Sequence, residues 1–249
     1  MKNTEKKQDI KLHWFENILW MGNDMQTVKR IQMVTFDLDG TIIDDEWAHE
    51  QAKTEIAKSL LGFTEDLELS KFTGHSNRLF WQDVCRKAGV NGDIEDLTNR
   101  QFQRVMELVV QNRQPESTGL TDTMRYLKQN EIRVALTSGS DKYFVDSMLD
   151  YLQIRQYVDV KVTKDHVRAV KPDPDIYLAA QKMAGMPSNV CIGIEDSIAG
   201  CQALHGAGMI SVGYTNQGKN PQNLQLADYR IAVMTDIIPL LERLNNAVL

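Results

Sequence analysis

With 249 residues, 42% hydrophobic and 25% charged, the chain can close a full core as one large or two modest domains. A formal net charge of −6 lacks the basic field that nucleic-acid binding demands, and no apolar window reaches the length of a bilayer span. Cys85, Cys191 and Cys201 form no CxxC pair, so the expectation is reduced thiols in a cytoplasmic protein, with neither disulfide nor zinc site.

The first thirty residues stand apart. Trp14, Phe15, Ile18 and Leu19 recur at near-helical spacing in a polar, lysine-containing segment, and the apolar stretch ILWM is too short for a signal-peptide core. Residues 1–30 therefore read as an extension forming an amphipathic helix docked on the body, with a dimer contact or membrane-surface anchor as competing uses. Next comes MVTFDLDGT, Met33 to Thr41, an apolar run that stops on two carboxylates one residue apart. Strand alternation turns Asp37 and Asp39 the same way and sends Phe36 and Leu38 into packing. Like charges that close call for a cation or a shared proton, and Gly40 lets backbone approach a ligand. An EF-hand loop fails on spacing, because its acids alternate through a longer loop with a later glycine. A solvated Asp-x-Asp-Gly turn is left open by the tetrapeptide alone.

From Glu46 to about Gln114 the pattern is helical: Glu46 to Leu61, Ser76 to Ala88 and Ile94 to Asn112, separated by Gly62, Gly74 and Gly89 to Gly92. This is an all-helical insert, residues 46–115, and Pro115 to Gly119 marks its junction with the C-terminal half of the chain. Helix and strand then alternate. Helices are predicted at Thr121 to Gln129, Asp141 to Leu152, Asp175 to Ala184, Ile198 to Ala207 and Ile237 to Asn245. Strands are predicted at Ile132 to Thr137, Val158 to Thr163, Val190 to Ile194, Met209 to Val212 and, at an edge, Tyr229 to Val233. Asp173 is the expected N-cap before Pro174 at the first helical position, and Gly185 the terminator. The fold class is α/β, a Rossmann-like parallel sheet core built from residues 31–45 and 116–249 with the helical segment inserted.

In such folds ligands sit beyond the carboxyl ends of the strands. There the chain offers Asp37 and Asp39, then Ser138, then Glu195 and Asp196, with Lys171 in the loop VKPDP. Singly, each has an ordinary reading: a turn serine, a solvated lysine, a helix N-cap at Asp196 or Ser197. Jointly and in this order they fit phosphoryl transfer. Asp37 would attack phosphorus, and Mg2+ would be held by Asp37, the Asp39 carbonyl and Asp196. Asp39 would protonate the leaving alkoxide and later deprotonate water, while Ser138 and Lys171 would hold phosphoryl oxygens.

These residues resemble the haloacid dehalogenase superfamily, in its phosphatase and phosphomutase branch with a helical cap. FDLDGT (Phe36 to Thr41), LTSGS (Leu136 to Ser140), VKPDPDIY (Val170 to Tyr177) and GIEDSIAG (Gly193 to Gly200) look like its four motifs in order, over about Ile31 to Leu249. The resemblance implies the roles above for Asp37, Asp39, Ser138, Lys171 and Asp196, and gives Glu195 a place supporting or joining the metal shell. His49, ten residues after Asp39, falls where many capped members carry a histidine near the cap hinge. TGHSNR (Thr73 to Arg78) resembles the cap loop that contacts substrate, which adds His75, Ser76, Asn77 and Arg78 as substrate-binding candidates, with Gly139 from the second motif. The branch's hexose-phosphate mutases carry an arginine directly after that serine, and here it is Asn77. The implied activity is a Mg2+-dependent phosphatase acting on a small phosphate ester such as a sugar phosphate or phosphoglycolate, as a monomer or weak dimer. A phosphohexomutase is the runner-up, and a non-catalytic binding protein on the same fold the third reading.

Overall fold

The computed structural model describes residues 30–62 and 77–246. The expected N-terminal amphipathic helix lies outside the described residues, as do His75 and Ser76. Among the described residues, six strands form one parallel sheet: β1 (Met33–Asp37), β2 (Arg133–Ser138), β3 (Val160–Thr163), β4 (Cys191–Glu195), β5 (Ile210–Tyr214) and β6 (Tyr229–Ile231). Their order is β3-β2-β1-β4-β5-β6. The chain thus builds outward from β1 on one side, then returns to lay β4 against its other side, and the crevice at that reversal is where such sheets take ligands.

Every residue of β1 and β4 is buried, as expected of central strands covered on both faces. Alternation still divides them between two cores. Val34 and Phe36 pack with α4 (Leu120–Gln129), α5 (Lys142–Tyr151) and α8 (Ile237–Asn246), whereas Met33 packs with α6 (Asp175–Ala184) and α7 (Ile198–Gly206). The α6 boundary falls at Asp175, but Pro174 already has helical dihedrals (φ −74°, ψ −6°), and Asp173 Oδ1 accepts from Asp175 N at 3.0 Å. Asp173 therefore caps this helix as expected.

Between β1 and β2 stand α1 (Glu46–Leu61), α2 (Asn77–Ala88) and α3 (Ile94–Gln111). Ile56, Ala57, Phe80, Trp81, Val84, Cys85 and Leu97 make a separate hydrophobic cluster there. Both long helices also reach the main core, α1 through Ala48 and Ala52 and α3 through Phe102, Val105, Leu108 and Val109. The insert is thus anchored to the sheet layer near its two chain connections. The three cysteines are free and buried. Among the described residues no helix is long and apolar enough to cross a membrane.

Candidate active site

The acidic run after β1 does not continue as strand to Thr41. The strand ends at Asp37, and the chain folds back, with the N–H groups of Thr41, Ile42 and Ile43 all directed at the Leu38 carbonyl. Gly40 makes this turn possible. Its φ is +77°, and a Cβ there would lie 2.3 Å from Asp196 Oδ2, so only glycine lets the backbone come against that carboxylate. Phe36 and Leu38 are fully buried, as strand alternation requires of the first and as the turn preserves for the second.

A cleft of about 1330 Å³ opens at the carboxyl ends of β1, β2 and β4. Asp37, Asp39, His49, Asn77, Arg78, Gly139, Lys171 and Asp196 all line it. Two predicted residues stand behind its wall: Glu195 and Ser138 are fully buried. Ser138 Oγ accepts from Ser140 N at 3.0 Å and donates to Asp39 Oδ2 at 3.4 Å, so its hydroxyl is directed at the acidic turn.

Asp37, Glu195 and Asp196 bring carboxylate oxygens within 4.8 Å of one another. Lys171 lies against two of them, bonding Asp37 Oδ1 and standing 2.5 Å from Glu195 Oε1. Tyr177 donates its hydroxyl to Glu195 Oε1, and Ser197 Oγ donates to Glu195 Oε2 at 3.0 Å. Gly200 leaves room for this carboxylate, since a Cβ there would fall 1.9 Å from Glu195 Cδ. Burial, then the neighbouring Glu195 charge, holds both the Asp37 and Asp196 carboxyls well above the usual carboxylate range, with Lys171 opposing. Three carboxylates against one ammonium leave negative charge that a divalent cation would offset. An all-oxygen donor set of this kind suits a hard ion such as Mg2+.

A second acidic group stands beside the first. Asp39, Asp45 and His49 also bring ligand atoms within 4.8 Å. His49 Nε2 is 3.6 Å from Asp39 Oδ1 and 3.7 Å from Asp45 Oδ2. Burial acts to raise Asp39, but the nearby His49 imidazole and the hydrogen bond from the Ser140 hydroxyl outweigh it and bring the carboxyl below its ordinary value. Asp45, fully buried and beside the Asp39 charge, is pushed up to about 7. Burial opposes a charge on His49, yet the two carboxylates outweigh that and push the imidazole up to about 10. One contact pulls the other way: Gln101 Nε2 lies 3.0 Å from His49 Nδ1, presenting an N–H to the nitrogen that a second proton would occupy.

Several of these residues lie beyond the candidates that sequence alone supplies. Ser140, whose hydroxyl donates to Asp39 Oδ2 at 3.0 Å, sits inside the LTSGS motif, and Tyr177 inside VKPDPDIY. Asp45 carries a local signal, standing four residues before His49 at the start of a helix. Lys53, one turn beyond His49 on α1, lines the cleft over the Phe80 ring, with burial lowering its pKa. Gln101 and Trp81 carry no local signal.

Residues 34–214 match the model of the haloacid dehalogenase-like hydrolase family. A fructose-1-phosphate phosphatase of Escherichia coli is 27% identical over 185 residues, which covers 74% of this chain and 96% of that protein. Hexitol phosphatase B of the same organism is 24% identical over 216 residues, covering 86% and 97%. Among solved structures, beta-phosphoglucomutase from Clostridium difficile superposes with a TM-score of 0.72 at 23% identity, over 87% of this chain and 98% of that one, a likeness of fold.

Proposed function

This chain belongs to the haloacid dehalogenase-like hydrolase family, and from that premise we propose that it is a Mg2+-dependent phosphatase of small phosphorylated metabolites, sugar phosphates first among them. The observation that carries this reading is the buried set at the carboxyl ends of β1 and β4: Asp37 in contact with Lys171, and both beside Glu195 and Asp196. Named phosphatases of fructose 1-phosphate and hexitol phosphates among the relatives support the carbohydrate class.

In this reading an Asp37 oxygen attacks phosphorus as the ester P–O bond breaks, and the Asp39 carboxyl gives its proton to the departing alkoxide. Asp39, now a carboxylate, then takes a proton from water, whose oxygen attacks phosphorus, releases phosphate and restores Asp37. The Asp39 carboxyl, held below its ordinary value, stands ionised for this second half, and the His49 imidazole, 3.6 Å from Asp39 Oδ1, keeps a proton near for the first. Lys171 and the backbone at Gly139 would hold the phosphoryl oxygens; the Ser138 hydroxyl, expected in that role, is instead buried behind the cleft wall and directed at Asp39. Asp37, the Asp39 carbonyl, Asp196 and Glu195 would hold the cation, which when bound offsets repulsion between Asp37 and the incoming phosphate. Residues 46–115 would act as the cap over the cleft, with His49, Asn77 and Arg78 facing the substrate from that side.

The test is phosphate release by purified protein with Mg2+ across a panel of sugar phosphates, phosphoglycolate and other phosphomonoesters. Turnover of sugar phosphates is expected. Glucose 6-phosphate formed from beta-glucose 1-phosphate without matching phosphate would make it a mutase, and an inert panel would favour a binding protein. Asn77 argues against the mutase: it is neutral, and its Oδ1 already accepts from Gln101 Nε2 at 3.2 Å.

A further inference from the structure

We propose that Asn220 is a positioning residue for Asp196: from the loop after β5, its side-chain amide clips the chain just past β4 to the end of β5 and so sets where the Asp196 carboxylate stands. The proposal rests on the reading of Asp196 as a ligand of the cation. The pairing of β4 with β5 ends at Glu195 and Gly213, which leaves Asp196 one residue beyond the last rung. There a side chain supplies the hydrogen bonds. Asn220 Nδ2 lies 2.7 Å from the Asp196 carbonyl and 3.0 Å from the Tyr214 carbonyl, so its two hydrogens have one acceptor on the exit of each strand. Asn220 Oδ1 accepts from Gln222 N at 2.8 Å. Carbonyls only accept and an N–H only donates, so turning the amide over would break all three bonds.

The same loop meets the chain on the far side of Asp196. Gln222 Oε1 accepts from Ile198 N, the first N–H of α7, at 3.0 Å. The carboxylate itself is held more loosely: Thr41 Oγ1 donates to Asp196 Oδ1 at 3.4 Å, and Gly40 leaves space beside Oδ2. Where the ligand stands is therefore set through its backbone, and Asn220 holds that backbone. The loop is bent to reach it. Asn216, Gln217 and Gly218 run in succession at φ of +45°, +55° and +83°, a region that non-glycine residues rarely enter even singly. Backbone bonds keep the turn, with Thr215 N and Gln217 N donating to the Ile231 and Ala232 carbonyls at 2.9 and 3.1 Å, and Asn220 N to the Thr215 carbonyl at 3.2 Å. A conformation this unfavourable persists where its surroundings require it, and what it delivers here is the Asn220 amide.

Isothermal titration calorimetry of the purified chain with MgCl2, without substrate, reads the Kd for Mg2+, and urea unfolding without metal reads stability separately. Asn220→Ala should raise that Kd by about tenfold or more, as removal of a group supporting a metal ligand does. Asn220→Ser keeps one donor, so its Kd should fall between those of the alanine variant and the wild type, and it decides the matter if the alanine variant does not fold. Asn216→Ala is the control within the same turn. It removes the bond from Asn216 Nδ2 to Asp44 Oδ2 and leaves the backbone bonds and the Asn220 amide in place, so it should lower stability and keep the Kd within about twofold. Asn220 variants that fold and bind Mg2+ as the wild type does overturn the proposal, as does an Asn216→Ala protein whose Kd rises as far as that of Asn220→Ala. A wild type that binds no Mg2+ would sink the metal reading and this one together. A wild type that binds Mg2+ but hydrolyses no phosphate ester would sink the phosphatase reading and leave this one measurable.

Discussion

Two groups of buried acids flank the end of β1, and the protein treats them in opposite ways. Asp37, Glu195 and Asp196 are met by one ammonium, Lys171, and their oxygens have no other described cation. Asp39 and Asp45 are met by an imidazole whose far nitrogen is held by a neutral amide. The first group is an oxygen cradle with surplus negative charge. The second has room for a proton and a means of directing it. Residues only two apart, Asp37 and Asp39, therefore fall into different chemistry because the turn at Gly40 separates their surroundings.

The largest test of this division is Asp37→Asn against Asp45→Asn. If Asp37 is the nucleophile, its amide should lower turnover by more than about 10³-fold while thermal unfolding stays cooperative. Asp45 touches no reacting atom in this scheme, so its amide should cost about tenfold in kcat. Equal losses in the two variants, measured by phosphate release, would erase the distinction.

Metal binding sharpens it further. Mg2+ should raise the melting temperature of the wild type, by the equivalent of about 2.7 kcal/mol at a hundred times its Kd. Asp196→Asn should abolish that rise and Asp45→Asn should keep it; the reverse would exchange the two groups' roles. The pH dependence stems from the raised Asp37 and Asp196 carboxyls. Groups raised in the folded state lend stability fully below the ordinary value of 3.8 and lose it as pH climbs through the raised values. Without metal, therefore, the wild type should lose stability relative to Asp196→Asn as pH rises above about 4, and Mg2+ should reverse the trend. A metal-free wild type that gains on the variant over that range would show that the carboxylates are not strained by one another.

The two groups also differ in how far a sequence discloses them. The first is spelled by short motifs: FDLDGT and GIEDS at strand ends that hydrophobic pattern alone locates, and VKPDP in the loop before α6. The sheet then brings the ends together, since β1 lies between β2 and β4. Half of the second group is also within reach, because Asp45 and His49 are one helical turn apart. Gln101 is not. It is 52 residues from His49 and 20 from Trp81, and the contact exists only because α2 and α3 dock on α1. Ser138 shows the same limit at shorter range. Its place at the end of β2 is legible, but the backbone turn that buries it and presents Ser140 to Asp39 depends on dihedrals that residue types leave free.

The smallest effects lie in the hydroxyls that serve each group. Tyr177 is fully buried and donates to Glu195, itself fully buried, so Tyr177→Phe strips a donor from a carboxylate with little water to replace it. A hydrogen bond to a charged group contributes about 1.5–3 kcal/mol, and the upper part of that range is expected here in urea unfolding. Ser140 donates to Asp39, whose side chain is 25% exposed, so water can compensate and Ser140→Ala should cost nearer about 1 kcal/mol. Bound Mg2+ should narrow the gap, because the cation stabilises the charge that Tyr177 serves and leaves Asp39's carboxylate to Ser140 and His49. If instead Ser140→Ala were the costlier change with and without metal, the buried charge would reside mainly in the Asp39 group, and the contrast between cradle and proton site would be reversed.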